Sequence, residues 1–484
     1  MAGITLLGLG PADANLITRQ AWQLLESAQE IYLRTEQHPA VKNFPASLQV
    51  KSFDHLYQQN DSFERVYEQI VERIINLGQR PDGVIYAVPG HPFIAEATGP
   101  EIARQAKKKG IPCSLVAGLS FLEPAFSALG LDPLPQSSLV DALTLFTGHH
   151  PPFPPDAPAL IAQIYDRQIA AEVKITLMAV YPDEHPVQLV HGAGSAAEIV
   201  EDLPLYAIDR SQHIGLLTTL YLPPLGPATS LESFQELVAH LRAPEGCPWD
   251  REQDHQSLRP NLLEEAYEVV DAIDKDDPAA MVEEFGDLLL QVVLHAQIAS
   301  EYGEFTMADV INGIHTKLVR RHPHVFGDVN LDEAEVVIKN WERLKAEERK
   351  ANGQNEKGLL DGVANAMPAL TQAQTYQKRV VRVGFDWPDI SGVMDKICEE
   401  IEEIHTAPDD DARASEVGDL LFAIVNLARW LKIDAESALR ETNQRFRTRF
   451  AFIEQSARQQ GRELGELSLD EMEALWQEAK KAGD

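Results

Sequence analysis

The chain has 484 residues, 44% of them hydrophobic and 24% charged, with a formal net charge of −33. This is ordinary material for roughly two to four globular domains, and the charge works against non-specific binding to nucleic acid or to an anionic membrane surface. Three scattered cysteines, Cys113, Cys247 and Cys398, form no CxxC, which excludes a disulfide framework and a cysteine-rich zinc site and fits a reducing, cytoplasmic setting. The N-terminal MAGITLLGLGPAD has neither the basic start nor the long apolar core of a signal peptide. No apolar run approaches the roughly 20 residues of a membrane span.

From residue 3 to about 220 the pattern is α/β. GITLLGLG reads as a strand ending in glycines, LITRQAWQLLESAQ as an amphipathic helix, and DGVIYAVPG as a second strand. ATGPEIARQAKKKG is a helix, IPCSLVAG a third strand, and KITLMAVYP and PLYAIDR are expected as later strands. Alternation of strands and helices implies parallel βαβ units. Ligands of such sheets bind at the carboxyl ends of the strands. Those ends are Gly8-Leu9-Gly10-Pro11, Pro89-Gly90-His91-Pro92 and Ala117-Gly118-Leu119-Ser120. A single GLG is also an ordinary tight turn. GLGPAD lacks the third glycine of the dinucleotide fingerprint, with Asp13 in its place. Three glycine-rich strand ends together suggest a backbone-lined pocket for a small molecule.

In this order the three turns resemble the tetrapyrrole methylases, the S-adenosylmethionine-binding fold of cobalamin and sirohaem biosynthesis. GLGPADANLITRQAWQLLESAQEIYL is similar to that family's N-terminal signature, PGHP stands where PGDP is usual, and AGLS where a glycine–serine turn is usual. Ala12 replaces the usual second glycine and His91 the usual Asp. The resemblance implies that Pro11, Gly90, His91, Gly118 and Ser120 line a cleft for S-adenosylmethionine. It does not identify a methyl acceptor.

LPPLGPATS at 222–230 reads as a linker. Beyond it, amphipathic helices take over. LLEEAYEVVDAIDKDDPAAMVEEFGDLLLQVVLHA reads as two helices joined by an Asp/Pro turn. Glu265 and Glu268 form an i, i+3 pair on the first helix, and Glu284 and Asp287 form one on the second. The pairs border apolar stripes, and packing the stripes together gathers four carboxylates. Such a group repels itself unless a cation sits within it, and an all-oxygen donor set suits Mg²⁺ or Mn²⁺. One acid pair alone is more often a solvated helix edge.

A second copy changes that weighting. GDLLFAIVNLA at 418–428 matches GDLLLQVVLHA at 286–296, and KICEEIEEIHTA at 396–407 matches LLEEAYEVVDAI. Glu400 and Glu403, then Glu416 and Asp419, repeat the two acid pairs. Lys317 and Arg321 lie four apart on a helix, as do Arg445 and Arg449, and each copy closes with a tryptophan, Trp341 or Trp476. Helix solvation does not explain acids, cations and a tryptophan recurring in one order. Carboxylates that hold divalent ions, cations for phosphate oxygens and a tryptophan for a nucleobase suggest phosphoryl chemistry. No GxxxxGK[ST] motif occurs, which argues against a P-loop enzyme. The pairs His149–His150 and His322–His324 lack the i, i+4 spacing of a helical zinc site.

The half from about 231 to 484 resembles the MazG nucleoside triphosphate pyrophosphohydrolases. EExxE followed by ExxD appears as Glu264-Glu265-x-x-Glu268 with Glu284-x-x-Asp287, and as Glu399-Glu400-x-x-Glu403 with Glu416-x-x-Asp419; GCPWDREQDHQSL is similar to the family's entry motif. The resemblance implies Mg²⁺-dependent hydrolysis of an NTP to NMP and diphosphate, in an all-α four-helix arrangement that is commonly dimeric. Glu265, Glu268, Glu284, Asp287, Glu400, Glu403, Glu416 and Asp419 are then the metal ligands. Glu399 and Glu264 are candidates to orient water. Lys396, Arg445, Arg449, Lys317 and Arg321 are for phosphate, and Trp476 is for the base. The second copy is expected to be the main catalytic unit.

The expected fold is multidomain: an α/β methylase-like domain at 1–222, a linker at 223–230, all-α repeats at 231–350 and 367–484, and a second linker at 351–366. The expected protein is a cytoplasmic homodimer acting on nucleoside triphosphates, with no nucleic-acid or membrane partner. The alternative is a nucleotide-sensing module that regulates a methyltransferase.

Overall fold

The computed structural model describes residues 3–60, 62–327, 329, 336–337, 340–341, 343–344 and 358–483. The polar stretch 351–357 and much of the segment around Trp341 lie outside the described residues. The chain forms two compact units, Met1–Ile311 and Asn312–Asp484.

The first unit opens with a five-stranded sheet in the order β3-β2-β4-β1-β5, from β1 (Ile4–Gly8), β2 (Glu30–Leu33), β3 (Gln49–Ser52), β4 (Val84–Val88) and β5 (Cys113–Val116). All its pairings are parallel, as the βαβ pattern predicts. β1 and β4 are central and almost wholly buried, which suits their continuous apolar runs. The helices Phe63–Leu77 and Thr98–Lys109 cover one face through Val66, Ile70, Ile74, Ile102 and Ala106. The helix Arg19–Ser27 covers the other through Ala21 and Leu25.

The second sheet departs from expectation. β6 (Ser138–Asp141), β7 (Ala159–Ala162), β8 (Pro186–His191), β9 (Ile199–Pro204) and β10 (Thr218–Leu222) pair in the order β6-β7-β10-β8-β9. Only β6–β7 is parallel; the other pairings are antiparallel. KITLMAVYP is not a strand. Its first half ends the helix Arg167–Leu177, capped by Asp166 and burying Ile169, Ala170, Val173, Thr176 and Leu177 at helical spacing. That tertiary burial overrides the β propensity of Ile175 and Thr176. PLYAIDR likewise forms a 3₁₀ helix, Leu205–Arg210, that buries Leu205 and Ile208.

The expected linker is anchored to the α/β domain. Leu225 donates to the Pro155 carbonyl, and the Ser230 hydroxyl donates to Asp156 while capping the helix Leu231–Arg242. After it the elements of the described residues are all helical, as the pattern predicts. The helices Arg259–Asp274 and Pro278–Glu301 pack as a hairpin. Their Asp/Pro turn is present: Asp277 caps Ala279 and Ala280, and Asp276 takes φ 51°. Val293, Leu294 and Ile298 form a core with Val238 and Leu258.

The second unit repeats the hairpin with the helices Ile390–Thr406 and Asp410–Trp430, capped by Asp389 and Asp409. Ala369–Val381 and Ala435–Gln459 pack against it, and Leu469–Gly483 packs on Ala435–Gln459. The division between units falls within the helix Met307–Arg321. No helix among the described residues is long and apolar enough to cross a membrane.

Candidate metal centres and cofactor cleft

In the second copy the hairpin gathers its acids because their i, i+3 spacing keeps them on the faces that meet. One oxygen each of Glu400, Glu416 and Asp419 lies within 4.8 Å of the others. Glu403 is not in this closest group, but its charge acts on Glu416. Partial desolvation, then the charges of Glu403, Asp419 and Glu400, raise the Glu416 carboxyl above its usual range. The Glu400 side chain is only 4% exposed. Its Oε2 is buried with no hydrogen-bond partner, while Oε1 takes the Lys396 ammonium at 2.7 Å. Lys396 also reaches Glu399 Oε1 at 3.0 Å. Both carboxylates hold its ammonium above the usual lysine range.

The first copy gathers Glu265, Glu268 and Glu284 within the same 4.8 Å. Asp287 stands just outside that group, and its charge acts on Glu265 and Glu284. Partial desolvation comes first, with the surrounding carboxylates behind it, in raising Glu265 and Glu284 above their usual range. An orphaned buried carboxylate oxygen and two self-repelling oxygen clusters fit a hard divalent cation.

The cations and tryptophans also recur in geometry. The Arg321 guanidinium lies 5.1 Å from the Trp341 ring centre, and that of Arg449 lies 5.7 Å from Trp476. Trp476 also packs against Phe446 at 5.2 Å. Arg445 bonds Thr442 and Glu441 on its own helix. Lys317, Arg321 and Trp341 belong to the second unit, whereas the first copy's acids belong to the first.

In the α/β domain the three glycine turns meet. Gly10 and Gly90 exchange backbone hydrogen bonds of 3.2 and 2.7 Å. A Cβ on Gly8 would come within 2.4 Å of Gly118 N, and one on Gly118 within 2.4 Å of Gly90 O. The turns therefore approach as bare backbone. Gly90 itself has φ 70° and would point a Cβ into open space, with nothing nearer than 4.0 Å. Pro11 is buried beside this junction, and His91 is half-buried with Nδ1 accepting from Phe93 N. Ser120 is 1% exposed, and its hydroxyl is engaged by Glu123 at 2.5 Å and by Leu122 N at 3.0 Å. It therefore braces the turn that leads into the next helix.

Sequence reasoning missed three groups here. Buried His38 donates from Nε2 to the Gly10 carbonyl at 2.9 Å, because its Nδ1 accepts from Ala40 N. Burial lowers its pKa, so a neutral imidazole braces the glycine turn. Arg34 forms a buried pair with Glu96, bonded also to Tyr57 at 3.1 Å. His255 and His295 share an Nδ1–Nδ1 hydrogen bond of 2.7 Å. All three join residues far apart in sequence, and no local spacing marks them.

A tetrapyrrole (corrin/porphyrin) methylase family model matches residues 3–209, and a MazG nucleotide pyrophosphohydrolase domain model matches residues 253–326. The uncharacterised protein YabN of Bacillus subtilis is 42% identical over 496 aligned residues, covering 99% of each chain. The nucleoside triphosphate pyrophosphohydrolase/pyrophosphatase MazG of Thermotoga maritima is 46% identical over 51% of this chain and 95% of its own length. The nucleoside triphosphate pyrophosphohydrolase of Escherichia coli K12 is 44% identical over 51% of this chain and 95% of its own.

Proposed function

We propose that this chain, which belongs to the family joining an N-terminal tetrapyrrole methylase domain to a C-terminal MazG nucleotide pyrophosphohydrolase region, hydrolyses nucleoside triphosphates to NMP and diphosphate with Mg²⁺. The observation that carries the reading is the buried Glu400 carboxylate, with one oxygen orphaned beside Glu416 and Asp419. Glu400, Glu403, Glu416 and Asp419 would hold Mg²⁺ in the second copy, and Glu265, Glu268, Glu284 and Asp287 in the first; Mn²⁺ suits the same donors. Bound there, the ion supplies Lewis acidity to phosphate oxygens and acidifies a water.

The chain's own groups do the rest. Glu399, 57% exposed and held by Lys396, orients the attacking water and accepts its proton, with Glu264 at the matching place in the first copy. Lys396, Arg445 and Arg449 neutralise the triphosphate, and Trp476 offers a face to the base. The exposed apolar side chains Met394, Ile401, Leu421, Phe422 and Ile424 on the second hairpin support a homodimer. The N-terminal cleft around Pro11, Gly90, His91 and Gly118 would hold S-adenosylmethionine, and three unpaired cysteines suit a cytoplasmic protein. Purified protein with Mg²⁺ and a panel of NTPs, dNTPs and modified nucleotides should release diphosphate. Orthophosphate alone, or no product with any of them, overturns the reading. Glu403→Gln and Glu268→Gln, made singly, identify the working copy.

A further inference from the structure

The two acid clusters differ in one position that the repeat itself exposes. Glu264 and Glu399 are equivalent, so the residue three before each is also equivalent: Asn261 in the first copy and Lys396 in the second. Lys396 places its ammonium between Glu399 and Glu400, at 3.0 and 2.7 Å. In the first copy, none of Glu265, Glu268, Glu284 or Asp287 makes an ion pair among the described residues. One cluster thus carries a counter-cation on its own helix, and the other has none among the described residues.

We infer that Lys396 is a resident counter-cation that makes the copies unequal: the first binds a divalent ion without nucleotide, and the second binds it in concert with nucleotide. The inference rests on the reading that these acids hold a metal. Lys396 holds Oε1 of Glu400, the carboxylate whose other oxygen is free for a divalent ion, so an entering ion meets a positive charge within a few ångströms. Even at the dielectric of water, that repulsion for a doubly charged ion weakens binding by about tenfold or more. A triphosphate removes the conflict. Its oxygens are stronger anions than the half-exposed Glu399, and they draw the flexible lysine stem away from Glu400 while bridging to the incoming ion. Glu400 Oε2, already buried and unpartnered, stays aimed at the ion position throughout. Lys396 then acts as a positioning residue that couples ion and nucleotide binding in the second copy. Asn261 cannot provide this coupling in the first.

Mn²⁺ binding to the full chain tests this by calorimetry and by the electron paramagnetic resonance signal of free ion. Without nucleotide, the wild type should show one tight site and a second at least about tenfold weaker. A non-hydrolysable α,β-imido NTP should tighten the weak site. Lys396→Met should tighten it without nucleotide, and Asn261→Lys should weaken the tight one. Glu268→Gln should remove the tight site alone. Two equal sites in the wild type, or an unchanged weak site in a folded Lys396→Met, overturn the inference. If Mn²⁺ fails to bind at all, the metal reading falls with it. If both sites are equal while diphosphate is still released, only the inequality falls.

Discussion

Replacing Glu400 by Gln separates a functional carboxylate from a structural one. The side chain is 4% exposed, one oxygen has no partner, and the other is bonded to a lysine that is itself 37% exposed. Burying an unsatisfied polar oxygen costs about 1–3 kcal/mol, and more when it is charged, whereas a half-exposed ion pair returns about 0.5–1 kcal/mol. Gln keeps the shape, removes the charge and relieves repulsion with Glu416 and Asp419. The metal-free variant should therefore match the wild type or exceed it by about 1 kcal/mol, which is about 2–4 °C in Tm for a unit of this size. The same change should weaken Mn²⁺ at the second copy by about 100-fold and reduce diphosphate release in proportion. Scanning calorimetry without metal, and then with Mg²⁺ and a non-hydrolysable α,β-imido NTP, reads both effects, because only the wild-type second unit then gains stability from the ion. A metal-free loss of more than about 2 kcal/mol would refute this reasoning, because it would mean that Glu400 holds the fold together.

Metal affinity should fall with acidity earlier than ordinary carboxylates dictate. Glu265, Glu284 and Glu416 have pKa values raised above 4.5, so protons compete with the ion from a higher pH. The sign for folding is opposite: these groups bind protons more readily folded than unfolded, so metal-free stability should rise as pH falls through their folded pKa values. Isothermal titration with Mn²⁺ and melting curves between pH 7 and about 5 check both signs. Gly8→Ala forces a Cβ to within 2.4 Å of Gly118 N. It should cost about 1–3 kcal/mol by overpacking and abolish S-adenosylmethionine binding by calorimetry, whereas unchanged binding would remove the cleft assignment. Glu96→Ala leaves Arg34 without its buried partner and should destabilise the α/β domain by about 3–5 kcal/mol in urea unfolding.

Legibility in the sequence followed the range of the interactions. The acid hairpins were legible because i, i+3 spacing and apolar stripes are local, and because the copy at 396–428 repeats the one at 262–296. Three strands of the first sheet were legible because β1, β4 and β5 are short apolar runs closed by glycines, whereas β2 and β3 are four-residue strands that no glycine closes. The second sheet was not. Its strand β9, IVEDLP, is largely exposed and acidic. Ile175 and Thr176 instead sit in a helix fixed by the Asp166 cap and a buried face. Ser120 was expected to line the cofactor cleft, and its hydroxyl is engaged by Glu123, a bond that the spacing Ser-x-x-Glu could have announced. His38 under Gly10, and Glu96 against Arg34, depend on contacts 28 and 62 residues apart, which only the fold creates.

The most direct test is the fate of water oxygen in a single hydrolysis. With an NTP, Mg²⁺ and ¹⁸O-labelled water, the account predicts NMP and diphosphate, with the label in the NMP phosphate and none in the diphosphate, and loss of both products when Glu268 and Glu403 are changed together to Gln. Label appearing in orthophosphate with NDP as the co-product would contradict it.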